Sequence, residues 1–149
     1  MEPLTRREWM SILAKADPKE LEEIWGFLGE RPHYRFLRPP ETGLVMVRAR
    51  AGGTGKPFNL GEVTVTRCTV QVREGFQGTA YVIGRNPRHA ELAALLDALL
   101  QDPAQHEALM DLVIRRLQQA NRKREARMAQ KISETRVEFF TLVRGEDDG

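Results

Sequence analysis

Residues Thr64 to Val72 read TVTRCTVQV, and small or β-branched side chains occupy every second position of this stretch. A period of two is typical of a β-strand with one buried face. Turn residues follow at Gly75 and Gly78, and the segment TAYVIGR beyond them predicts another strand. Upstream, the extended run from Leu44 to Ala49 predicts a further strand, after a break at Pro39-Pro40. Three successive strands joined by turns indicate an antiparallel meander.

Predicted helices flank these strands on both sides in the sequence. Asp17 followed by Pro18 is a typical helix start, and it separates two N-terminal helices with apolar stripes. Asn86-Pro87 and Pro103 begin two more helices, the first with a leucine-rich stripe. The segment RVEFFTLVRG predicts a final strand. Because strands are grouped between helices, we predict a single α+β domain over residues 1–149, with an antiparallel sheet of three to four strands, N-terminal helices and a long basic C-terminal helix.

The composition is that of a globular protein with a small positive charge. Of the 149 residues, 41% are apolar and 30% are charged, and the formal net charge is +2. Cys68 is the only cysteine, which excludes a disulfide framework, and we interpret it as a buried strand residue. The sequence has no apolar run long enough for a membrane span and no secretory signal, so we expect a cytoplasmic protein without membrane contacts.

A glycine-rich segment, Gly52-Gly53-Thr54-Gly55-Lys56, invites comparison with the phosphate-binding P-loop. That motif has glycine where this chain has Arg50, and serine or threonine where it has Pro57. A helix must also follow the lysine so that its N-terminus faces the phosphate, whereas the residues after Pro57 have strand character. We therefore predict a flexible connection between two strands. Candidates for binding an anion there, in a pocket that other chains complete, are Arg50, Gly52, Gly53 and Thr54.

Arg85 and His89 lie at the predicted start of the helix that follows Asn86-Pro87. One interpretation makes them ligands of a phosphate or of a facing subunit. The other leaves His89 as a surface residue of the first helical turn, with Glu91 complementing the helix dipole. The other histidines have no ligand-like spacing to His89, so we predict no metal site. Glu41-Thr42, just after the prolines, has the composition of a turn cap.

The segment from Arg115 to Arg136 holds eight basic residues and two acidic ones, and its apolar stripe stops within NRKREARMAQK. A helix of about 30 residues is about 45 Å long, which exceeds what one small domain covers. We therefore predict that its outer part contacts a partner protein, with arginines pairing with carboxylates there. The candidate contact residues are Arg122, Arg124, Arg127, Met128 and Ile132.

Several segments together resemble one known family. They are REWMSILA near the N-terminus, ETGLVMVRARAGGTGKPFNLGEVTVTR in the centre, HAELAALLDALLQ after it, and RVEFFTLVRGEDD at the end. In this order and at this length, the chain resembles PhnG, the G subunit of bacterial carbon–phosphorus lyase systems. The resemblance covers nearly the whole chain and is weakest from Asp17 to Arg31 and near Asn121.

The resemblance implies a subunit of a cytoplasmic hetero-oligomer that obtains phosphorus from phosphonates. In such systems the G, H and I subunits act with an L subunit as a transferase that joins a phosphonate to C1′ of the ribose of ATP. Adenine leaves, and the product is alpha-D-ribose 1-methylphosphonate 5-triphosphate when the phosphonate is methylphosphonate. The J subunit, an iron–sulfur radical enzyme, later breaks the C–P bond. The implied partners are PhnH, PhnI, PhnJ and PhnL, with ATP as substrate of the complex and with no cofactor and no transferable catalytic residue in this chain.

Two other functions are compatible with parts of the sequence. A stand-alone nucleic-acid-binding module would use the helix from Arg115 to Arg136, but the small net charge and the lack of a known binding motif argue against it. An independent nucleotide hydrolase would depend on the glycine-rich segment, which departs from the P-loop. We therefore expect that the isolated chain is not catalytic and binds no nucleic acid.

Overall fold

The computed structural model describes residues 4–28, 32–50, 57–73 and 75–147, with side chains described over 4–28, 32–48, 61–73 and 75–131. The elements in chain order are α1 (Arg6–Lys15), α2 (Pro18–Phe27), β1 (Tyr34–Arg50), β2 (Pro57–Val72), β3 (Gln77–Ile83), α3 (Pro87–Leu100), α4 (Pro103–Leu109), a π-helical turn (Met110–Ile114) and α5 (Arg115–Asp147). The strands form one antiparallel sheet in the order β1-β2-β3. The predicted α+β class, the meander and the long basic C-terminal helix are confirmed.

The helix starts follow local signals in the sequence. Asp17 accepts a hydrogen bond from the Lys19 amide at 2.9 Å, and Pro18 is the first residue of α2. Asn86 also occupies the N-cap position of α3, but its side chain makes no capping bond. Its Nδ2 donates instead to the Ile83 carbonyl at 3.3 Å, so this amide closes the turn between β3 and α3.

Helix α3 covers one face of the sheet and forms the centre of the core. The β2 and β3 side chains beneath it are buried, as are nearly all residues of α3 itself from His89 to Leu100. The sequence predicts a single apolar stripe on α3. In the structure α3 contacts not only the sheet but also α1, α2 and α4. A helix surrounded in this way is apolar on most of its circumference, which explains the additional buried alanines.

The predicted strand break at Pro39-Pro40 is wrong, because β1 runs through both prolines. The pairing with β2 shifts register between Phe36 and Arg38 and again between Arg38 and Glu41. Strand β1 lies at the edge of the sheet, where a proline that cannot donate to a neighbouring strand is tolerated at a bulge. Glu41-Thr42 is consequently part of a strand and not a turn cap.

The predicted final strand is also wrong. The segment RVEFFTLVRG belongs to α5, which continues to Asp147. Its β-branched and aromatic residues favour a strand only where a neighbouring strand can pair with it. A helix that is already formed grows by one hydrogen bond for each added residue, so α5 continues through this segment.

Candidate functional site

Strands β1 and β2 extend well beyond the end of β3. The last β3 residue, Ile83, pairs with Val65, whereas the pairing of β1 with β2 continues to Arg50 and Pro57. We call the two-stranded part, residues 44–50 and 57–64, the distal ribbon. Leu44 has 68% of its surface exposed, and Met46 is exposed as well. Because an isolated two-stranded hairpin is at best marginally stable in water, the ribbon is a strong candidate for contact with another protein.

The glycine-rich segment lies between the two strands of the distal ribbon. The chain enters β2 at Pro57 directly after Lys56, so the helix that a P-loop requires is replaced by a strand. The prediction of a connection between two strands is thereby confirmed. Arg50 is the last residue of β1, and its side chain lies outside the described part of the chain. Gly52, Gly53 and Thr54 also lie outside it, so anion binding here stays a prediction.

A buried threonine fixes the turn that presents Arg85. Thr66 Oγ1 donates to the Gly84 carbonyl at 2.6 Å and accepts from the Asn86 amide at 3.1 Å. Thr42 Oγ1 lies 3.0 Å from the same hydroxyl. Gly84 has a φ of +96°, a conformation that favours glycine. Thr66 therefore holds the residues on both sides of Arg85, Gly84 and Asn86, while Arg85 itself is exposed at the surface.

His89 is not the surface residue that both interpretations of the sequence assume. Only 6% of its surface is exposed, and Nε2 lies 2.9 Å from the Leu13 carbonyl of α1. The imidazole thus joins α3 to α1 inside the core. The structure therefore does not bring His89 to the surface beside Arg85. Within the described ranges, no group of three or more His, Cys, Asp and Glu side chains is placed to hold a metal ion.

A hydrogen-bonded chain of ionisable groups lies near the start of α3. The Tyr34 hydroxyl donates to Glu91 Oε2 at 2.5 Å, and Arg88 Nη1 lies 3.1 Å from the other Glu91 oxygen. Arg88 Nε also donates to Glu22 of α2 at 2.7 Å. Glu91 therefore does more than complement the helix dipole: it links β1 to α3. Burial, followed by the hydrogen bond to Glu91, raises the pKa of Tyr34 to about 12.

The raised pKa of Tyr34 predicts a pH-dependent stability. An ordinary tyrosine has a pKa of 10.0. The folded state holds the Tyr34 hydroxyl proton more tightly than the unfolded state does. The stability that this proton contributes is therefore complete below pH 10 and is lost as the pH rises from 10 to about 12. In a pH titration of the folded chain followed by near-ultraviolet absorbance, we expect one late transition, in which a tyrosinate forms only as the pH approaches about 12. Tyr34→Phe should remove this late transition and the associated loss of stability. A titration without a late transition in the unsubstituted chain would contradict the assignment.

The single cysteine is buried, as the sequence predicts. Cys68 has no exposed surface, and burial raises the pKa of its thiol to about 11, with a further rise from the charge of Glu91. The reactive form of cysteine is the thiolate, so a thiol with this pKa is a poor nucleophile near neutral pH. Cys68 is therefore a packing residue of β2.

Asp97 is the polar residue with the most extensive contacts, and the sequence did not single it out. It has no exposed surface and accepts hydrogen bonds from three residues. Arg6 Nε and Nη2 lie at 3.1 and 2.8 Å, Trp9 Nε1 at 2.8 Å and the Thr79 amide at 2.9 Å. These bonds hold α1, α3 and β3 together. One signal was present: an acidic residue within the apolar run of α3, with no basic residue three or four positions away.

Helix α5 leaves the core after Asn121. The Asn121 amide is buried and donates to the Ile12 carbonyl at 3.2 Å. Arg124 donates to the Lys15 carbonyl at 3.0 Å and to the Asn121 side chain, so this candidate partner residue is already engaged within the chain. Arg122, Arg127 and Met128 are exposed, with 59% of the Met128 surface accessible. The Ile132 side chain lies outside the described part.

The family model for phosphonate metabolism protein PhnG matches residues 4–145 of this chain. The chain belongs to the PhnG family. It is also 46% identical over 145 residues to a Rhizobium meliloti (strain 1021) protein, the alpha-D-ribose 1-methylphosphonate 5-triphosphate synthase subunit PhnG. That match covers 95% of this chain and 90% of the relative. The resemblance identified from the sequence is thereby confirmed.

The PhnG family match spans every element considered above, from α1 through most of α5. The distal ribbon, the Arg85 turn and the exposed part of α5 therefore belong to the PhnG-like part of the chain. In the described part of this PhnG-family chain, no helix combines the length and the apolar character needed to cross a membrane.

Proposed function

We propose that this chain is the G subunit of a cytoplasmic, multi-subunit alpha-D-ribose 1-methylphosphonate 5-triphosphate synthase. In this role it acts with PhnH, PhnI and PhnL to transfer a phosphonate to C1′ of the ribose of ATP, releasing adenine. PhnJ breaks the C–P bond in a later step. The name of the Rhizobium meliloti relative, which is 46% identical, supports the assignment. The structural observation that carries it is the distal ribbon, which presents exposed apolar side chains beyond the end of β3.

The described side chains support a structural or positioning role more than an independent catalytic one. The thiol of Cys68 and the hydroxyl of Tyr34 both have raised pKa values, so both stay protonated near neutral pH. Both carboxylate oxygens of Asp97 and of Glu91 accept hydrogen bonds from donors within the chain. Groups held in this way are poor general bases, because their lone pairs already accept hydrogen bonds from neighbouring donors.

The structure gives less support to nucleic-acid binding by α5. Arg115 lies 3.0 Å from Asp111 and Arg116 lies 3.1 Å from Glu23. Arg124 is engaged with α1 and lies 3.9 Å from Glu20. Pairing of these arginines within the chain lowers the charge that phosphates would meet, so we expect no gel shift with DNA or RNA at physiological salt.

Co-expression tests the proposed function directly. The tagged chain is produced with PhnH, PhnI, PhnJ and PhnL and purified, and adenine release from ATP is measured with methylphosphonate present. We expect one particle containing several subunits, with adenine released only when this chain and its partners are together with PhnL. Adenine release by the isolated chain, or a monomer that ignores all four partners, would overturn the proposal.

A further inference from the structure

The sheet has a second face, on the side opposite α3. Along β3, Gly78, Ala80 and Val82 are buried beneath α3, whereas Tyr81 and Ile83 are exposed. We call this second surface the open face. The strand pairing arranges its side chains in cross-strand rows. From one end to the other the rows are Arg35–Gln71–Gln77, Arg38–Thr69–Thr79, Glu41–Arg67–Tyr81, Gly43–Val65–Ile83 and Val45–Val63.

The end of the open face nearest the distal ribbon is apolar. Ile83 has 76% of its surface exposed and Tyr81 has 57%. Val45 is exposed as well, and Val65 between these strands is half-buried. An antiparallel sheet with one solvated face normally carries polar side chains there. A contiguous exposed apolar group on such a face marks a binding surface.

The other end of the open face is basic. Arg67 lies 3.3 Å from Glu41, and Arg35 donates to Gln71 at 2.8 Å. Among the residues with described side chains, the guanidinium groups of Arg38 and Arg73 make neither a side-chain hydrogen bond nor an ion pair. Arg38 borders a shallow depression of about 430 Å³ that also reaches Tyr81. A surface with this excess of guanidinium groups is complementary to carboxylates.

The dimensions of the open face fit a single helix. Three strands span two inter-strand spacings, about 10 Å, which is about the diameter of an α-helix with side chains. From the row of Gln71 to the row of Val63 the strand advances eight residues, or about 27 Å, which equals about 18 helical residues. On the inner face of the same sheet, the single helix α3 contacts all three strands.

We propose that the open face binds an amphipathic helix from one of the partner subunits. This helix places aliphatic or aromatic side chains on Tyr81, Val65 and Ile83, and carboxylates at the end that meets Arg38 and Arg35. The inference rests on the proposed function, because it assumes that the chain assembles with other subunits.

Two pairs of variants test the open face in the co-expressed complex. Ile83→Asp places a charge at the centre of the apolar end, and Phe27→Asp is its control, because Phe27 is equally exposed but lies on α2. Arg38→Glu reverses the charge at the basic end, and Arg7→Glu on α1 is its control. We expect Ile83→Asp and Arg38→Glu to lower the yield of captured partner about tenfold. The controls should match the unsubstituted chain, and thermal unfolding checks that all four variants fold.

A photo-crosslinker identifies the occupant. Benzoylphenylalanine replaces Tyr81, the complex is irradiated, and the joined peptides are identified by mass spectrometry. We expect a helical segment of a partner subunit that contains Asp or Glu. Capture of partners by the unsubstituted chain and equally by Ile83→Asp and Arg38→Glu would overturn the open-face proposal while leaving the proposed function intact.

The remaining outcomes are also decisive. A crosslink to a second copy of this chain, or to a segment without acidic residues, would overturn the proposal for the open face. Failure of the unsubstituted chain to capture any partner would overturn the proposed function itself, and the two failures are therefore distinguishable.

Discussion

Asp97→Asn is expected to lower the free energy of unfolding by about 3–5 kcal/mol, since it leaves the buried N–H of Trp9 or Thr79 without its acceptor and removes the carboxylate charge that pairs with Arg6. Each carboxylate oxygen accepts two hydrogen bonds, Oδ1 from Arg6 and Trp9 and Oδ2 from Arg6 and Thr79. The asparagine amide offers one oxygen and one NH₂ group. In either orientation of the amide, its NH₂ faces two N–H donors, and the charge that balances Arg6 is lost.

Urea denaturation provides the measurement for Asp97→Asn. The midpoint should fall strongly while the slope stays constant, since the same surface is exposed on unfolding. Asp111→Asn is the matched control: it makes the same chemical change in an exposed ion pair with Arg115, and should alter stability by no more than about 0.5 kcal/mol. Similar midpoints for the two variants would show that the Asp97 contacts contribute little.

Gly78→Ala should be nearly as destabilising, by about 3 kcal/mol or more. Gly78 lies on the inner face of β3, where the backbone of α3 makes direct contact. A Cβ at this position would overlap the Ala94 carbonyl oxygen and lie 2.7 Å from the Ala98 amide nitrogen. Because these are backbone atoms, no side-chain rotation relieves the overlap, and α3 must move away from the sheet.

Gly43→Ala separates this steric effect from the general effect of replacing a strand glycine. Gly43 lies in β1, and an added Cβ there meets no atom within 4 Å. We expect its urea midpoint to stay close to that of the unsubstituted chain, or to rise slightly because alanine restricts the unfolded state. Equal midpoints for Gly78→Ala and Gly43→Ala would contradict close contact between α3 and β3.

Features encoded by neighbouring residues could be predicted from the sequence. The start of α2 at Asp17-Pro18 and the alternation along β2 depend on residues within a few positions of each other, and both are confirmed. The failures involve partners that are distant in the sequence. The segment RVEFFTLVRG has strand composition but extends α5, and Pro39-Pro40 is tolerated because β1 lies at the sheet edge.

The candidate site was less predictable than the fold for the same reason. The buried His89 lies within hydrogen-bond distance of the Leu13 carbonyl, 76 positions away in the sequence. Asp97 accepts a hydrogen bond from Arg6, 91 positions away. The absence of a P-loop was predictable, because that motif is defined by adjacent residues. The open face was not, since it becomes visible only when the pairing of β1, β2 and β3 aligns their outward residues.

The distal ribbon implies that this subunit has to be synthesised together with the subunits that bind it. Leu44-Val45-Met46-Val47 is an uncharged run of high strand propensity in β1, which pairs with β2 on one side and has no neighbouring strand of the described sheet on the other. Copies synthesised without companions would therefore join edge to edge into aggregates or be cleaved by cellular proteases. We expect production of the chain to be matched to that of its neighbours, so that unassembled molecules stay rare.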